Sequence, residues 1–192
     1  DTIEATGIAA WNGLRWDSLG HRLAPAALQT HCLERFNGVL YASGNWYFQN
    51  ENGQWTTGFA RFNDTTRRWS DLGCYNPQFS GLGTLTLKAD GSGFYCTGWM
   101  GDPCTLPEAP VFTFDGSTYA SWAPGQQIPY HPNNYVGFVF EFRGMSYMTG
   151  LYRDPLSEGY CSLMRHNGTS WEYVPGWGQL QVPIKEFSIH ND

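Results

Sequence analysis

The chain has 192 residues, of which 15% are charged and 17% aromatic, and its net charge is −6. Disordered chains combine high charge with few aromatic residues, so this composition indicates a folded protein, and the length allows one domain. The acidic balance argues against nucleic-acid binding, which needs a basic face. No apolar run approaches the roughly 18 residues of a membrane-spanning helix, so we expect no membrane span.

Two interleaved motifs repeat along the chain. The first is a short segment that ends in an aromatic anchor, and the anchors are Trp16, Trp69, Tyr119 and Trp171. The second ends in a small residue and a glycine, at Ser43-Gly44, Thr97-Gly98 and Thr149-Gly150. The first recurs after 53, 50 and 52 residues and the second after 54 and 52. Such regular spacing indicates a structural repeat.

Each repeat predicts four short strands joined by tight turns. Asn-Gly, Asp-Gly and Arg-Gly pairs stand where a hairpin needs positive φ, and the turn glycines are Gly13, Gly38, Gly91, Gly116, Gly144 and Gly168. No window of ten residues has a helical apolar period, and only residues 24–32 leave room for a helical turn. We therefore predict an all-β fold.

Four-stranded units at this period are typical of antiparallel β-propeller blades. We expect one propeller domain over residues 1–192, with repeat units at about 1–32, 33–82, 83–135 and 136–183 and a closing strand at 184–192. Residues 2–7 look like a second strand, and 184–192 like a first strand. Two arrangements remain open: a small closed ring of about four blades, and a fragment of a larger propeller.

The order of these motifs resembles Kelch-type propellers over nearly the whole chain. It is most similar to the Kelch-like repeats of secreted and cell-surface proteins of bacteria and fungi, within the galactose-oxidase-type propeller superfamily. The usual Gly-Gly after the second strand is replaced here by Ser43-Gly44, Thr97-Gly98 and Thr149-Gly150. The resemblance implies a propeller architecture and no single activity.

The five cysteines show neither a CxxC motif nor zinc-ligand spacing, and the five histidines are scattered. We therefore expect no metal and no cofactor. Two disulfides with one thiol left over is one interpretation, in which Cys104 pairs with Cys96 or Cys161; the candidates are Cys74, Cys96, Cys104 and Cys161. The other is five buried thiols in an intracellular protein.

Two N-x-T sequons favour the first interpretation. They begin at Asn63 and Asn167, and both fall in predicted hairpin turns, where a glycan would not clash. We therefore expect a secreted or cell-surface glycoprotein.

The sequence contains no nucleophile elbow, no His-Glu-x-x-His and no phosphate-binding glycine loop. Most carboxylates sit in turns, where turn chemistry explains them. A glycoside hydrolase would need two paired carboxylates, and the long loops hold five without an assignable partner: Glu51, Asp102, Glu108, Asp154 and Glu158.

Aromatic residues follow the small-Gly end of each second strand, and we name Trp46, Tyr47, Trp99 and Tyr152 as candidate ligand-binding residues. Exposed aromatic faces stack on sugars or anchor protein interfaces; alternatively they cover the ends of the blades. Trp55 and Trp177 also stand outside the anchor positions.

The predicted function is a non-enzymatic extracellular module for protein interaction, adhesion or structural surface assembly. Its expected partners are other proteins or surface glycans, in homo- or hetero-assemblies. One alternative is a lectin that uses the loop aromatics, and a second is a glycoside hydrolase that uses the loop carboxylates.

Disulfides form in oxidising compartments, so the natural protein should yield linked cysteine peptides in mass spectrometry without reduction. The same digest after reduction is the control. Alkylation of all five cysteines without prior reduction would contradict the extracellular location.

Overall fold

The computed structural model describes residues 8–19, 29–49, 55–72, 82–98, 111–122, 135–153 and 160–174. These residues contain strands and no helix, so none of them forms an apolar helix long enough to cross a membrane. The strands are β1 (Ala9–Trp11), β2 (Trp16–Ser18), β3 (Gln29–Phe36), β4 (Val39–Gln49), β5 (Trp55–Asn63), β6 (Arg68–Asp71), β7 (Leu82–Leu87), β8 (Phe94–Gly98), β9 (Val111–Phe114), β10 (Tyr119–Ser121), β11 (Tyr135–Phe142), β12 (Met145–Arg153), β13 (Tyr160–His166) and β14 (Trp171–Tyr173).

The strands form four antiparallel sheets in chain order. Sheet A is the hairpin β1–β2, sheet B is β3–β6, sheet C is β7–β10 and sheet D is β11–β14. The all-β class and the antiparallel four-stranded unit are thereby confirmed. Strand β3 begins at Gln29, so the predicted unit boundary after residue 32 falls inside a strand. Residues 29–32, the end of the segment that left room for a helical turn, also belong to this strand.

The predicted tight turns are confirmed by backbone geometry. Both central residues have positive φ in the β3–β4 hairpin, at Asn37 (48°) and Gly38 (80°), and in the β11–β12 hairpin, at Arg143 (51°) and Gly144 (74°). Turns of this type match the right-handed twist of the paired strands. The predicted turn glycines all have positive φ.

A second kind of turn joins the third and fourth strands of every repeat. Its first residue is an Asx, whose side-chain oxygen accepts the backbone N–H groups two and three residues further on; these residues are Asn12, Asn63, Asp115 and Asn167. At Asp115 the N–H and hydroxyl donors of Ser117 and Thr118 lower the pKa of the carboxyl. These turns follow one another after 51, 52 and 52 residues, so they recur with the period of the repeat.

Consecutive sheets pack face to face through three apolar clusters. Ile8 and Leu19 of sheet A lie against Phe62 and Trp69 of sheet B. The second cluster joins sheet B to sheet C and includes Phe36, Tyr41, Phe59, Leu85, Phe94, Cys96, Phe112 and Phe114. The third joins sheet C to sheet D and includes Tyr95, Val111, Val136, Val139, Met148, Met164 and Trp171. Sheets B and C therefore each have a rear face toward the preceding sheet and a forward face toward the following one, and we use the same two names for the corresponding faces of sheets A and D.

The sheets approach each other most closely at their first strands. The backbone of β7 lies near β3 and β4, and that of β11 lies near β7 and β8. Blades around a propeller axis converge in this way. The segments 2–7 and 184–192, predicted to close a ring, lie outside the described residues, and the propeller itself stays a prediction.

Two buried hydroxyls join sheets C and D at this convergence. Thr84 Oγ1 and Thr97 Oγ1 both lie within hydrogen-bond distance of the Gly137 carbonyl oxygen, at 2.7 and 2.6 Å. Ser43 occupies the position of Thr97 in sheet B, since each pairs with the strand position just past a bulge in the first strand. Its hydroxyl is buried and has no hydrogen-bond partner among the residues that the structure describes.

This difference gives a matched pair of substitutions. Thr97→Val should lower the free energy of unfolding by about 1–2 kcal/mol, because a buried hydrogen bond is lost at nearly constant volume. Ser43→Ala should leave it unchanged or raise it, because a buried unsatisfied hydroxyl is removed. Urea unfolding of both variants measures the difference, and equal losses would contradict the assignment of the hydrogen bond to Thr97.

Candidate functional site

The predicted ligand-binding aromatics do not begin long loops. Trp46 and Tyr47 lie in β4, and Tyr152 lies in β12. Both strands continue past the small-Gly pair because their pairing shifts register there, between Ser43 and Tyr47 and between Thr149 and Tyr152, which lets β4 pair onward with β5. Residues 45–49 and 55–57 therefore belong to strands and not to a loop, and Trp99 lies outside the described residues.

The predicted carboxylate candidates, Glu51, Asp102, Glu108, Asp154 and Glu158, also lie outside the described residues. Over the ranges that the structure describes, no group of three His, Cys, Asp or Glu side chains is placed to hold a metal ion. The hydrolase alternative thus stays a prediction.

The cysteines are divided between core and undescribed segments. Cys96, a predicted disulfide partner, is a free thiol, fully buried between sheets B and C, and burial raises the pKa of this thiol. Cys32 is also free and packs on the same cluster, where its Sγ–H donates to the Leu85 carbonyl at 3.3 Å. Cys161 lies in β13. Cys74 and Cys104 lie outside the described residues.

Both sequon asparagines are exposed and begin an Asx turn. Asn12 and Asp115 form the same turn without a sequon, so turn geometry is a sufficient reason for an Asx residue at these positions. Glycosylation of Asn63 and Asn167 stays a prediction that their exposure permits.

The most exposed aromatic pair that the structure describes lies on the rear face of sheet A. Trp11 and Trp16 are 53% and 54% exposed, and their rings lie 5.6 Å apart at a 55° tilt. Leu14, at the tip of the same hairpin, is 90% exposed. We call this surface the Trp11–Trp16 face.

Strand pairing shows which residues correspond to this pair in the other sheets. Trp16 pairs with Trp11 across the hairpin as each other anchor pairs with the residue just before the Asx of its turn: Trp69 with Phe62, Tyr119 with Phe114 and Trp171 with His166. Trp69 and Trp171 are only 6% and 8% exposed. The sequence motif thus identifies Trp16 as an anchor, but it does not reveal that no described sheet covers its ring.

Trp69 shows what a buried anchor does. Its indole Nε1–H donates to the carbonyl oxygen of Leu19, at the end of the preceding sheet, at 2.8 Å. Its ring packs with Ile8 and Leu19. Trp171 instead lies edge-on to Trp122 of the preceding sheet, with ring centroids 5.1 Å apart. Its Nε1 is buried and has no acceptor in the described part of the chain. The anchor position therefore receives the end of a preceding sheet.

Polar contacts hold the hairpin that carries the exposed pair. Asp17 accepts hydrogen bonds from Asn12 Nδ2 at 2.7 Å and from Arg15 Nε at 3.0 Å. Arg15 and Asp17 are exposed, so their ion pair adds little stability. They lie on the strand face opposite Trp16, because side chains alternate along a strand. The tryptophan rings therefore stand clear of the charged groups.

Comparisons with protein-family models, curated proteins and solved structures each find no match. The repeat and the Trp11–Trp16 face are therefore the features of this chain that bear on its function.

Three conservative substitutions test this assignment of the anchors. Trp69→Phe should destabilise more than Trp171→Phe by about 1 kcal/mol, since only the former removes an indole hydrogen bond from a similarly buried site. Trp16→Phe should change the free energy of unfolding by less than about 0.5 kcal/mol, because its ring is half exposed. Chemical denaturation measures all three, and a Trp16→Phe loss as large as that of Trp69→Phe would show that Trp16 is buried in solution.

Proposed function

We propose that this chain is a non-enzymatic, extracellular, Kelch-like β-propeller module that binds proteins through its Trp11–Trp16 face, in adhesion or surface assembly. One observation carries the proposal: a repeat anchor that is buried at Trp69 and Trp171 is half exposed at Trp16. Large aromatic residues on an open surface mark interaction sites, and tryptophan is the residue most enriched at interface hot spots.

The shape of the surface favours a macromolecule over a small ligand. Small-molecule sites are concave and enclose most of their ligand, whereas Trp11 and Trp16 lie on the open face of a two-stranded hairpin. The corresponding faces of sheets B, C and D are covered by another sheet. A partner that presents a β-sheet face suits this surface.

The exposed area of the two tryptophans limits the binding free energy that they alone can supply. Covering the exposed half of two tryptophans removes about 250 Å² from water, which is worth about 6 kcal/mol at about 25 cal/mol per Å². Association costs about 4–15 kcal/mol in lost freedom. The pair can therefore anchor an interface but needs further contact area around it.

The extracellular part of the proposal is supported by the two sequons. Asn63 and Asn167 lie in exposed turns, and a glycan at either turn would project away from the apolar clusters that join the sheets. Neither asparagine belongs to the Trp11–Trp16 face, so glycosylation is compatible with binding there.

Binding to an array of extracellular proteins and to a glycan array tests the proposal. We expect protein ligands whose binding falls at least about tenfold in Trp16→Lys, the loss typical of a hot spot. Leu87→Lys is the matched control, because Leu87 is also an exposed apolar strand residue, in sheet C. The Leu87→Lys variant should bind the protein ligands as strongly as the parent chain does.

Two other outcomes would overturn the proposal. Glycan ligands that are lost in alanine variants of Trp46, Trp99 and Tyr152 but retained in Trp16→Lys would support the lectin alternative. Hydrolysis of arrayed glycans would support the glycoside hydrolase.

A further inference from the structure

We propose that a partner protein adds a β-strand to the edge of β1 that faces away from β2, and that a side chain of this strand covers Leu33 of sheet B. The inference rests on the proposed function of the Trp11–Trp16 face and names the element of the partner that binds beside it. That element is an extended segment in which an aromatic residue, an apolar residue, a serine or threonine and a glycine follow one another.

Sheet A corresponds to the outer half of the other sheets. Its Asx turn and its anchor join β1 to β2 as they join the third strand to the fourth in sheets B, C and D. The third strand of those sheets also pairs with a second strand, as Ala60 pairs with Ala42 in sheet B. Ala9 is equivalent to Ala60, because each stands two residues before the partner of its anchor. Over the described residues, however, β1 pairs with β2 alone.

The main chain of β1 shows how a further strand would bind. Asn12 donates its N–H to the Arg15 carbonyl, so these two residues form a hydrogen-bonded pair. Hydrogen-bonded and non-hydrogen-bonded pairs alternate along an antiparallel hairpin. The N–H and C=O groups of Trp11 and Ala9 therefore point away from β2. Main-chain groups at such an edge form the hydrogen bonds of strand addition.

The exposure of Leu33 shows that the chain leaves the space beside this edge open. Three first-strand residues are equivalent, because each pairs with a second-strand residue on the rear face of its sheet; the pairs are Leu33 with Ala42, Leu85 with Cys96 and Val139 with Met148. Leu85 and Val139 are only 3% and 0% exposed, whereas Leu33 is 44% exposed. The rear face of sheet B is therefore covered at its outer strands and open at its first strand.

The second strand of the preceding sheet covers this position in the two buried cases. Leu85 shares a cluster with Tyr41 of β4, and Val139 shares a cluster with Tyr95 of β8. Both tyrosines begin the same second-strand motif, which reads Tyr41-Ala42-Ser43-Gly44 and Tyr95-Cys96-Thr97-Gly98. A second strand of sheet A would cover Leu33 in the same way. A partner strand with this motif therefore fits the open position.

Strand addition also supplies the contact area that the tryptophan pair needs. The second residue of the motif lies on the rear face and is fully buried, as Ala42 and Cys96 are. In the added strand this residue would stand beside the partly exposed Ala9 and next to Trp11, because cross-strand neighbours share a face. The added strand thereby extends the Trp11–Trp16 face into a larger apolar surface.

A peptide with the sequence of residues 38–45 is the probe, because it contains the motif of β4. Added to the isotope-labelled chain, it should shift the amide NMR signals of Ala9 and Trp11 with a Kd of about 0.1–1 mM, the range of weak association. A peptide N-methylated at the position of Ala42 should bind at least about tenfold more weakly, because it lacks a main-chain donor to β1. Equal binding of both peptides, or no binding at about 5 mM, overturns the inference.

Two variants of the chain test the same contacts. Leu33→Lys should weaken binding of the unmodified peptide about tenfold, since it removes the apolar surface that the aromatic residue covers. Leu87→Lys is the matched control, because Leu87 is an exposed apolar residue of another first strand, and it should bind as the parent chain does. Unchanged binding by Leu33→Lys would show that the peptide binds elsewhere.

Amide hydrogen exchange of the free chain tests whether the edge is open. The amides of Ala9 and Trp11 should exchange quickly without the peptide and slowly with it. Slow exchange of both in the free chain would show that another segment of the same chain occupies the edge, and the inference would then be wrong.

The array experiment separates this inference from the proposed function. Ala9→Pro removes an outward N–H at the first residue of a strand, where proline is tolerated. If binding of the array ligands depends on Trp16 but is unchanged in Ala9→Pro and Leu33→Lys, only strand addition is wrong. If it depends on none of the three residues, the proposed function is wrong as well.

Discussion

The structure depends on the burial of both faces of each sheet. In sheet B, Phe62 and Trp69 pack on the preceding sheet while Tyr41 and Phe59 pack on the following one. An antiparallel sheet with one solvated face would alternate apolar and polar residues instead. Such sheets are stable only in a stack, where each inner face is covered by a neighbouring sheet. The two end faces of the stack must be polar, pack against each other or be covered by a partner. Because Trp11 and Trp16 make the rear face of sheet A apolar, that face lacks the polar character of a terminal cap.

The Asx turn places the anchors where this stacking needs them. The side chain of Asn12 or Asn63 caps the backbone N–H groups of the turn. In every sheet the anchor pairs with the residue just before this Asx, across four intervening residues in sheets A, C and D and six in sheet B. The anchor therefore lies on the rear face in each sheet, as the first residue of β2, β10 and β14 and the second residue of β6. Trp16 and Trp69 have equivalent places in their own sheets. Trp16 is exposed because no described sheet packs on its face, and not because its local geometry differs.

The fold class, the turns and the anchor positions could be predicted from sequence because they have local causes. Gly144 and Gly38 need positive φ, and strand alternation follows from spacing. The continuation of β4 through Trp46 and Tyr47 could not be predicted. It depends on a register shift after Ser43 that lets β4 stay paired with β5, and the composition of the segment does not indicate such a shift. The exposure of Trp11 and Trp16 also escaped the sequence, since it depends on which surfaces meet and the motif is the same in every repeat. The burial of the Cys96 thiol escaped the sequence for the same reason, because it depends on the packing of sheet B against sheet C.

The anchors also differ in how they recognise the preceding sheet, and this bears on specificity at the end of the stack. Trp171 packs against Trp122, and its indole nitrogen has no acceptor among the described residues, so this anchor contributes ring packing alone to the interface of sheets C and D. Trp69 adds a directional hydrogen bond to a carbonyl. A surface that depended on packing alone would accept many apolar partners, whereas an indole N–H that must be satisfied on burial rejects partners without a placed acceptor. Trp16 carries that N–H, so the partner that fits it best is one that ends in a carbonyl at the position of Leu19.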